Sequence, residues 1–351
     1  MPKKKFNVTL FHKIKPYNKS ILVDPDKSIS IRSFLIGSIS NNVSYANNVL
    51  ESEDVISSIE CLKKLGVKIL KIKKKKYKIF GKGLGSLRAK KNLKLNFGNS
   101  GTLARLLIGM LATNQNIQII LTGDQSLKKR SMKKLVFLMS KFGATFYPKN
   151  KFNFPFKMIS SRFPIGIKYT SGVSAQLKSA VILAGLNSYG ETKVIEQYKS
   201  RNHTENMLKK NVQAFETFKK NIIKVKGKKY LKPLKIDIPN DPSSAAFFVA
   251  LTILNEKSSL TIKNVGLNPT RNGFYQLLKK NGARIKFKNL KKINNEISGD
   301  IFVEYSKLKP INASKKYYVN STDEYPILFV IAALTKGTST FNGISDLANK
   351  E

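Results

Sequence analysis

One turn in the sequence has the residue types of an anion site. Residues 96–109 (NFGNSGTLARLLIG) run from a short predicted strand through a turn that includes Asn99 and Gly101 into an apolar helix, and Arg105 follows one helical turn later. Small residues allow consecutive backbone N–H groups to point into one concavity, and a helix start adds positive potential. A plain strand-to-helix turn would use similar residues. The turn therefore indicates an anion site only together with other evidence.

Other predicted helix starts carry hydroxyl, amide or basic side chains. A solvated helix start explains any one of them equally well, but their number exceeds what turn formation requires. If the fold brings these positions to one face, they would form a cradle for a polyanionic ligand. The residues are Lys27, Ser28 and Arg32; Arg130; Ser174, Ala175 and Gln176; and Ser200 and Arg201.

Several acidic and titratable residues have two interpretations each. Asp241, followed by a proline, has the pattern of a helix N-cap. Asp323 precedes an apolar helix and is either its cap or a base. His203 is either a polar residue at a helix start or part of a site. Lys350 and Glu351 would ordinarily be a terminal tail.

Composition narrows the class of protein. The net charge is +43, but only eight of the 64 basic residues are arginines, so the excess is lysine spread over scattered clusters. Nucleic-acid sites favour arginine, which makes a solvated lysine-rich surface the better interpretation, with a basic nucleic-acid-binding protein as an alternative. The single cysteine, Cys61, and the two histidines argue against a disulfide framework and a dedicated metal site. No signal peptide or membrane span is apparent, and a soluble cytoplasmic protein is expected.

A unit of about 70 residues recurs along the chain. An amphipathic helix ends at Gly66, Gly143 or Gly282 and is followed by a strand, and Val212 occupies the equivalent position in a degenerate copy. Repeats of this length predict a pseudo-symmetric α/β architecture with about three units per complete domain. A strand is expected at residues 7–12 and a lysine-rich strand pair at 219–235.

With these motifs assembled, the chain resembles the 3-phosphoshikimate 1-carboxyvinyltransferases, or EPSP synthases. The resemblance extends over essentially all 351 residues. The SAQ-x-K, R-x-H-x-E and N-x-T-R combination is similar to the class II branch of that family. The motifs, in order, are DKSISIR, GNSGTLAR, GDQSLKKRSM, SAQLKSA, SRNHTE, NDPSSAAFF, NPTR, DEYPILFVIAAL and the terminal KE.

The resemblance implies a two-domain inverted α/β fold built from βαβαββ units. Residues 26–240 would form one complete domain that carries most of the shikimate 3-phosphate site. Residues 1–25 and 241–351 would form a second domain that is incomplete at its C-terminal end. The protein would be a cytoplasmic monomer whose partners are small anionic substrates rather than nucleic acid or membranes.

The resemblance also implies an activity and a set of site residues. The enolpyruvyl group of phosphoenolpyruvate would pass to the 5-hydroxyl of shikimate 3-phosphate with release of phosphate, without a cofactor or a metal. The implied catalytic residues are Asp323, Glu351 and Lys27. Shikimate 3-phosphate would be bound by Lys27, Ser28, Arg32, Ser174, Ala175, Gln176, Ser200, Arg201, Asp323 and Lys350. Phosphoenolpyruvate would be bound by Lys27, Asn99, Gly101, Arg130 and Gln176.

Two alternatives stay close to this interpretation. UDP-N-acetylglucosamine enolpyruvyl transferases resemble the same fold but use a loop cysteine, whereas Cys61 lies in a helical pattern. The family also continues beyond the position of Glu351 with further basic residues of the phosphoenolpyruvate site. The resemblance therefore leads us to expect very low activity from the chain as given, as in an inactive truncated member.

Overall fold

A computed structural model describes residues 7–9, 11–218, 221–345 and 347. The first elements run to residue 82. They are β1 (Asn18–Ile21), α1 (Lys27–Ile39), β2 (Asn41–Asn47), α2 (Glu53–Lys64), β3 (Lys68–Lys73) and β4 (Lys76–Lys82). Residues 7–9, 11 and 12 are exposed and lie outside the strands, so the predicted strand at 7–12 is wrong. The edge of the sheet that a first strand would join is occupied by β1 instead.

Two further units follow in the same order of elements. The first contains β5 (Leu93–Asn96), α3 (Gly101–Ala112), β6 (Gln118–Thr122), α4 (Gln125–Lys129), α5 (Lys133–Lys141), β7 (Thr145–Tyr147) and β8 (Phe156–Ile159). The second contains β9 (Lys168–Ser171), α6 (Ala175–Leu186), β10 (Glu191–Glu196), α7 (His203–Leu208), β11 (Phe215–Phe218) and β12 (Ile222–Lys226).

The remaining elements lie after residue 234. They are β13 (Lys235–Asp237), α8 (Pro242–Leu254), β14 (Ser259–Gly266), α9 (Gly273–Lys280), β15 (Ile285–Ile293), β16 (Glu296–Glu304), β17 (Asn312–Ala313), α10 (Lys315–Ser321), α11 (Tyr325–Ala333) and β18 (Thr340–Phe341). The predicted strand pair at 219–235 is wrong. Strand β12 pairs with the preceding β11, and the chain then turns through Lys228 in the left-handed region, so that β13 pairs with the distant β2.

Among the described residues, four sheets share one strand pattern. Each has a parallel edge pair followed by two antiparallel pairs, in the orders β13-β2-β4-β3, β5-β6-β8-β7, β9-β10-β12-β11 and β1-β14-β16-β15. Two of the edge strands come from distant parts of the chain, since β13 completes the sheet of β2 and β1 completes the sheet of β14. The repeated βαβαββ unit expected from the sequence is therefore present, with its edge strands exchanged between two halves of the molecule.

The exchange forces the chain to cross twice between two hydrophobic cores. The first core is built by side chains between Ile29 and Ile238, and the second by side chains between Ala245 and Ile331 with Tyr17, Ile21 and Val23 packed against it. The two crossings lie side by side, since the Asp26 N–H donates to the Pro239 carbonyl (2.9 Å) and the Asp241 N–H donates to the Asp24 carbonyl (2.8 Å). Helices α1 and α8 both start at this crossing.

The helices of the two cores differ in how completely they are covered. Helices α1, α3 and α6 are buried along nearly their whole length. Helices α8 and α11 are also apolar in sequence but expose large side chains, with Phe247 65% and Val330 56% exposed. The second core is therefore less enclosed than the first.

Candidate functional site

Helix α1 begins at the crossing and presents the first group of predicted residues. Asp26 is the N-cap and accepts a hydrogen bond from the Ile29 N–H at 2.8 Å. The Lys27 N–H donates to Asp241 Oδ2 at 3.2 Å, while the Lys27 ammonium lies 3.1 Å from Asp54 Oδ2. Asp241, whose Oδ1 also accepts from the Ser243 N–H, thus links the starts of α1 and α8. The backbone of Lys27 is fixed between the two halves of the molecule.

Arg32, one turn into α1, is buried and held at several points. Its Nε donates to Thr204 Oγ1 at 3.0 Å, and its two Nη groups donate to the Ser28 carbonyl at 3.0 Å and to Ser179 Oγ at 3.4 Å. Burial lowers the pKa of this guanidinium to about 10, against the opposing effect of Glu205. A buried, oriented cation of this kind is suited to a carboxylate or phosphate ligand.

The turn before α3 places two arginines close together. The Ser100 hydroxyl caps the helix by accepting from the Leu103 N–H. Arg130 Nη2 donates to Asn99 Oδ1 at 2.8 Å, and Arg105 Nη1 donates to the Gly101 carbonyl at 3.2 Å. A Cβ on Gly101 would lie 2.7 Å from Arg105 Nη1 and 3.0 Å from Arg130 Nη1. Both guanidiniums therefore flank the glycine.

The electrostatics of this turn favour an anion. Burial, and then the neighbouring charge of Arg130, lower the pKa of Arg105 to about 10. Among the described residues, the hydrogen-bond acceptors of the Arg105 side chain are uncharged, namely the Gly101 carbonyl and, at 2.8 Å, Gln176 Oε1. Two adjacent guanidiniums repel each other, and a bound anion would remove that repulsion.

Helix α6 connects this pair to the rest of the site. Ser174 is its N-cap, Ala175 is its first residue, and Gln176 donates through Nε2 to Thr102 Oγ1 at 3.0 Å while accepting from Arg105. One turn later, Ser179 accepts from Arg32 and from Thr204. The first turns of one helix thus contact both groups of arginines.

The turn between β10 and α7 carries Ser200 and Arg201. Lys178 of α6 is fully buried beneath this turn, with its Nζ 2.7 Å from Glu196 Oε1 and 3.2 Å from the Ser200 carbonyl. The Ser200 N–H donates to the same Glu196 oxygen at 3.3 Å. The Ser200 hydroxyl is buried and has no hydrogen-bond partner within the described part of the chain. An unsatisfied buried hydroxyl is uncommon and is readily explained by a ligand that this site would bind.

Asp323 lies opposite this turn, in the other half of the molecule. Its Oδ2 pairs with Arg201 Nη2 and lies 4.0 Å from Arg271 Nη1. Glu324, not Asp323, is the N-cap residue of α11, so the cap interpretation of Asp323 is wrong. Asp323 instead joins a cluster of charges that spans the two halves.

Arg271 is the centre of that cluster. Its Nη2 donates to Ser243 Oγ at 2.6 Å and lies 3.5 Å from Asp241 Oδ1 and 3.7 Å from Glu324 Oε1. Burial opposes its charge, but Glu324 and Asp241 outweigh that effect and raise the pKa of Arg271 above its ordinary value. Burial raises the pKa of Glu324 and, with help from Asp26, that of Asp241.

Contacts between described residues link most of the predicted residues into one site beside the crossing. Arg201 and Arg271 are near enough to Arg32 to lower its pKa, and α6 links Arg32 to the Arg105 and Arg130 pair. The Lys27 ammonium is directed to Asp54 rather than into these contacts. Lys350 and Glu351 lie outside the described residues.

Sequence reasoning missed Lys178 and Arg271 as parts of the site, although both stand in the quoted motifs SAQLKSA and NPTR. The available signal was a basic residue inside an otherwise apolar or turn segment, which indicates a buried ion pair when a carboxylate is near. His203 is also buried and shares a hydrogen bond of 2.9 Å between Nδ1 and Glu296 Oε1. It therefore belongs to the contact between the two halves.

The structure also bears on metal sites and membrane spans. In the portion that the structure describes, no group of three His, Cys, Asp or Glu side chains is arranged to hold a metal ion. Over the same portion, no helix is long and apolar enough to cross a membrane.

The protein is an α/β molecule of exchanged βαβαββ units, with arginines gathered where the chain crosses between its halves. A sequence model of the family described as EPSP synthase (3-phosphoshikimate 1-carboxyvinyltransferase) matches residues 11–351. The chain belongs to the EPSP synthase family.

Individual relatives agree with this assignment. The 3-phosphoshikimate 1-carboxyvinyltransferase of Zymomonas mobilis is 39% identical over 343 residues, covering 97% of this chain and 75% of the relative. That of Caldicellulosiruptor bescii is 41% identical over 339 residues, covering 95% of this chain and 77% of the relative. The solved structure of EPSP synthase from Acinetobacter baumannii matches with a TM-score of 0.83 and 34% identity, covering 96% of this chain and 76% of that one. The two-domain inverted α/β fold expected from the sequence is confirmed, and the UDP-N-acetylglucosamine alternative is not favoured.

Proposed function

We propose that this chain transfers the enolpyruvyl group of phosphoenolpyruvate to the 5-hydroxyl of shikimate 3-phosphate and releases phosphate, as its family name describes. The arrangement of the arginines supports the proposal independently of the family match. Five of the eight arginines of the chain gather around the first turns of α6 and the crossing. Two phosphorylated carboxylate substrates bring several negative charges, and converging guanidiniums and N–H groups are what such substrates require. The five are Arg32, Arg105, Arg130, Arg201 and Arg271.

Shikimate 3-phosphate would bind between α1, α6 and the 200–201 turn. Ser28 and Arg32 would hold its carboxylate, and Ser174 and Ser200 would hold its phosphate. The buried Ser200 hydroxyl supports this role because it has no acceptor or donor among the described residues. Gln176 and Arg201 would pack around the ring. The remaining residues proposed for this substrate are Lys27, Ala175, Asp323 and Lys350.

Phosphoenolpyruvate would bind at the turn before α3. Arg130, Asn99 and the backbone at Gly101 would hold its phosphate and carboxylate, with Lys27 and Gln176 on the other side. The adjacent charges of Arg105 and Arg130 support this placement, because they favour an anion beside Gly101. Arg105 would contribute to the same positive field.

The proposed reaction is an addition followed by an elimination. Asp323 would take the proton of the 5-hydroxyl as the oxygen forms a bond to C2 of phosphoenolpyruvate, and Glu351 would give a proton to the methylene carbon. Loss of a proton from the new methyl group and departure of phosphate would then restore the double bond. Lys27 would stabilise the charge that develops at this centre. No cofactor takes part in these steps.

We also propose that residues 26–240 form one domain and that residues 1–25 with 241–351 form the other. The two separate hydrophobic cores and the double crossing at Asp26 and Asp241 support these limits. A monomer in the cytoplasm is the proposed state of the protein.

Titration calorimetry tests the substrate class directly. Shikimate 3-phosphate should bind saturably with one site per chain, and phosphoenolpyruvate should bind more tightly in its presence. UDP-N-acetylglucosamine serves as the competing ligand and should give no saturable heat. Saturable binding of UDP-N-acetylglucosamine without binding of shikimate 3-phosphate would contradict the proposal.

A further inference from the structure

Asp323 pairs with two arginines that differ in exposure and in the half of the molecule they come from. Arg201 belongs to the turn between β10 and α7 and pairs with Asp323 Oδ2 from across the cleft. Arg271 belongs to the loop between β14 and α9, in the same half as Asp323, and lies 4.0 Å from the same oxygen. Both cations stabilise the ionised form of the carboxylate.

Arg271 is a fixed partner. It is buried against Ser243, Asp241 and Glu324. Moving it away would leave buried carboxylates without a cation, which is strongly unfavourable. Asp323 therefore keeps Arg271 in any state in which the second half remains folded.

Arg201, in contrast, is an exchangeable partner. Its side chain is 16% exposed and that of Asp323 is 41% exposed, and ion pairs that solvent reaches are weak. The phosphate dianion of a ring substrate that packs beside Arg201 carries more charge than a carboxylate and competes with Asp323 for this guanidinium. Ser200, next to Arg201, adds a buried hydroxyl with no partner in the described part of the molecule.

We propose that Arg201 is a substrate-controlled counterion of Asp323: the phosphorylated ring substrate takes Arg201 for itself, and Asp323 becomes a stronger base only once that substrate is bound. The inference rests on the proposed function, because it takes Asp323 as the base and shikimate 3-phosphate as the dianion. In the described part of the chain, the charged groups with printed contacts or electrostatic effects near Asp323 include Arg201, Arg271 and Glu324, with Asp241 and Asp26 behind Arg271.

The exchange removes one positive charge from beside the Asp323 carboxylate and breaks no covalent bond. Before binding, the guanidiniums of Arg201 and Arg271 both face the carboxylate, and after binding Arg271 remains while Arg201 has left. The carboxylate then accepts the hydroxyl proton as that O–H bond breaks and the oxygen electron pair forms the new C–O bond. Arg201 therefore keeps Asp323 a weaker base as long as no substrate is bound.

Carbon-13 NMR of the side-chain carboxyls tests the exchange without requiring turnover. The chain contains nine aspartates, so labelling aspartate alone gives few signals, and Asp323→Asn identifies the signal of Asp323. The titration midpoint of Asp323 should rise by about one pH unit or more when shikimate 3-phosphate saturates the protein. In Arg201→Gln, the midpoint should already be high without substrate and should move little when substrate is added.

Two controls make the outcome specific. Arg284→Gln removes an exposed guanidinium whose hydrogen bonds within the described residues go to the Tyr305 carbonyl, and should leave the Asp323 midpoint unchanged. Calorimetry on the same samples reports whether shikimate 3-phosphate binds. Binding without a shift at Asp323, or equal midpoints in the wild type and Arg201→Gln, overturns the exchange while leaving the proposed function intact. Absence of binding overturns both.

Discussion

Lys178 and Glu205 form a fully buried ion pair beneath the substrate cleft, with 2.5 Å between Lys178 Nζ and Glu205 Oε1. The same ammonium holds Glu196 and the carbonyl of Ser200. One cation on α6 therefore fixes the turn that carries Ser200 and Arg201. The position of these two residues depends on a charge that no solvent reaches.

Replacing that cation should destabilise the protein strongly. In Lys178→Met, Glu196 and Glu205 are left buried without their shared partner, and removing one member of a buried pair typically costs about 3–5 kcal/mol. Urea unfolding of wild type and variant measures this loss.

An exposed lysine beside the same turn provides the matched control. Lys199→Met should change the free energy of unfolding by no more than about 0.5 kcal/mol, because its side chain is exposed. The double variant Lys178→Met with Glu205→Gln should recover part of the lost stability. Equal stability of Lys178→Met and Lys199→Met would show that the buried pair does not hold the turn.

Gly101→Ala should weaken phosphoenolpyruvate binding with little effect on folding. The added methyl group would lie 2.7 Å from Arg105 Nη1 and 3.0 Å from Arg130 Nη1, so the ends of these flexible side chains must move. Loss of one charge-assisted hydrogen bond of about 1.5–3 kcal/mol corresponds to at least tenfold weaker binding. Calorimetry with saturating shikimate 3-phosphate measures it. Gly172→Ala, in the corresponding turn before α6, meets nothing within 4 Å and is the control; equal effects of the two changes would exclude the arginine explanation.

Glu296 should make the stability depend on pH in the acid range. Burial disfavours its charge, but His203, Asn206 and Asn268 outweigh burial and hold its pKa below the ordinary value. A folded-state pKa below the unfolded one gives stability that is complete above the unfolded value of about 4.3 and is lost as the pH falls through the folded value.

The test is Glu296→Gln compared with Glu304→Gln on the same strand. The first change should lower the free energy of unfolding at pH 7 by about 1.5–3 kcal/mol, and its deficit relative to wild type should diminish as the pH falls below about 4. The second change should leave the free energy of unfolding nearly unchanged, both at pH 7 and below about pH 4. A Glu296→Gln deficit that is independent of pH argues against the charged contact with His203.

Local sequence patterns predicted the repeated units well. They did not predict strands whose pairing partners are distant in the sequence. The glycines at 66, 143 and 282 end helices in the left-handed region, as the pattern indicated. The strand pair predicted at 219–235 failed because β13 pairs with β2, nearly 190 residues away in sequence, and no local pattern encodes that partner.

The candidate site also contains residues that the local sequence predicted and residues that only the fold revealed. Arg32 and Arg201 were recognisable because basic and hydroxyl groups near helix starts exceed what a turn needs, whereas Arg130, expected at a helix entry, is the C-cap of α4. Lys178 and Arg271 were not, because their importance lies in buried carboxylates contributed by other segments. The Arg201 to Asp323 pair, which joins residues from the two halves, likewise required the fold.

Phosphate release from phosphoenolpyruvate tests the central claim most directly. We predict release that requires shikimate 3-phosphate, at whatever rate this chain supports, and that falls to background in Asp323→Asn while Arg284→Gln retains it. Release that proceeds without shikimate 3-phosphate, or that persists at the same rate in Asp323→Asn, would contradict the assignment of this cleft as the site of enolpyruvyl transfer.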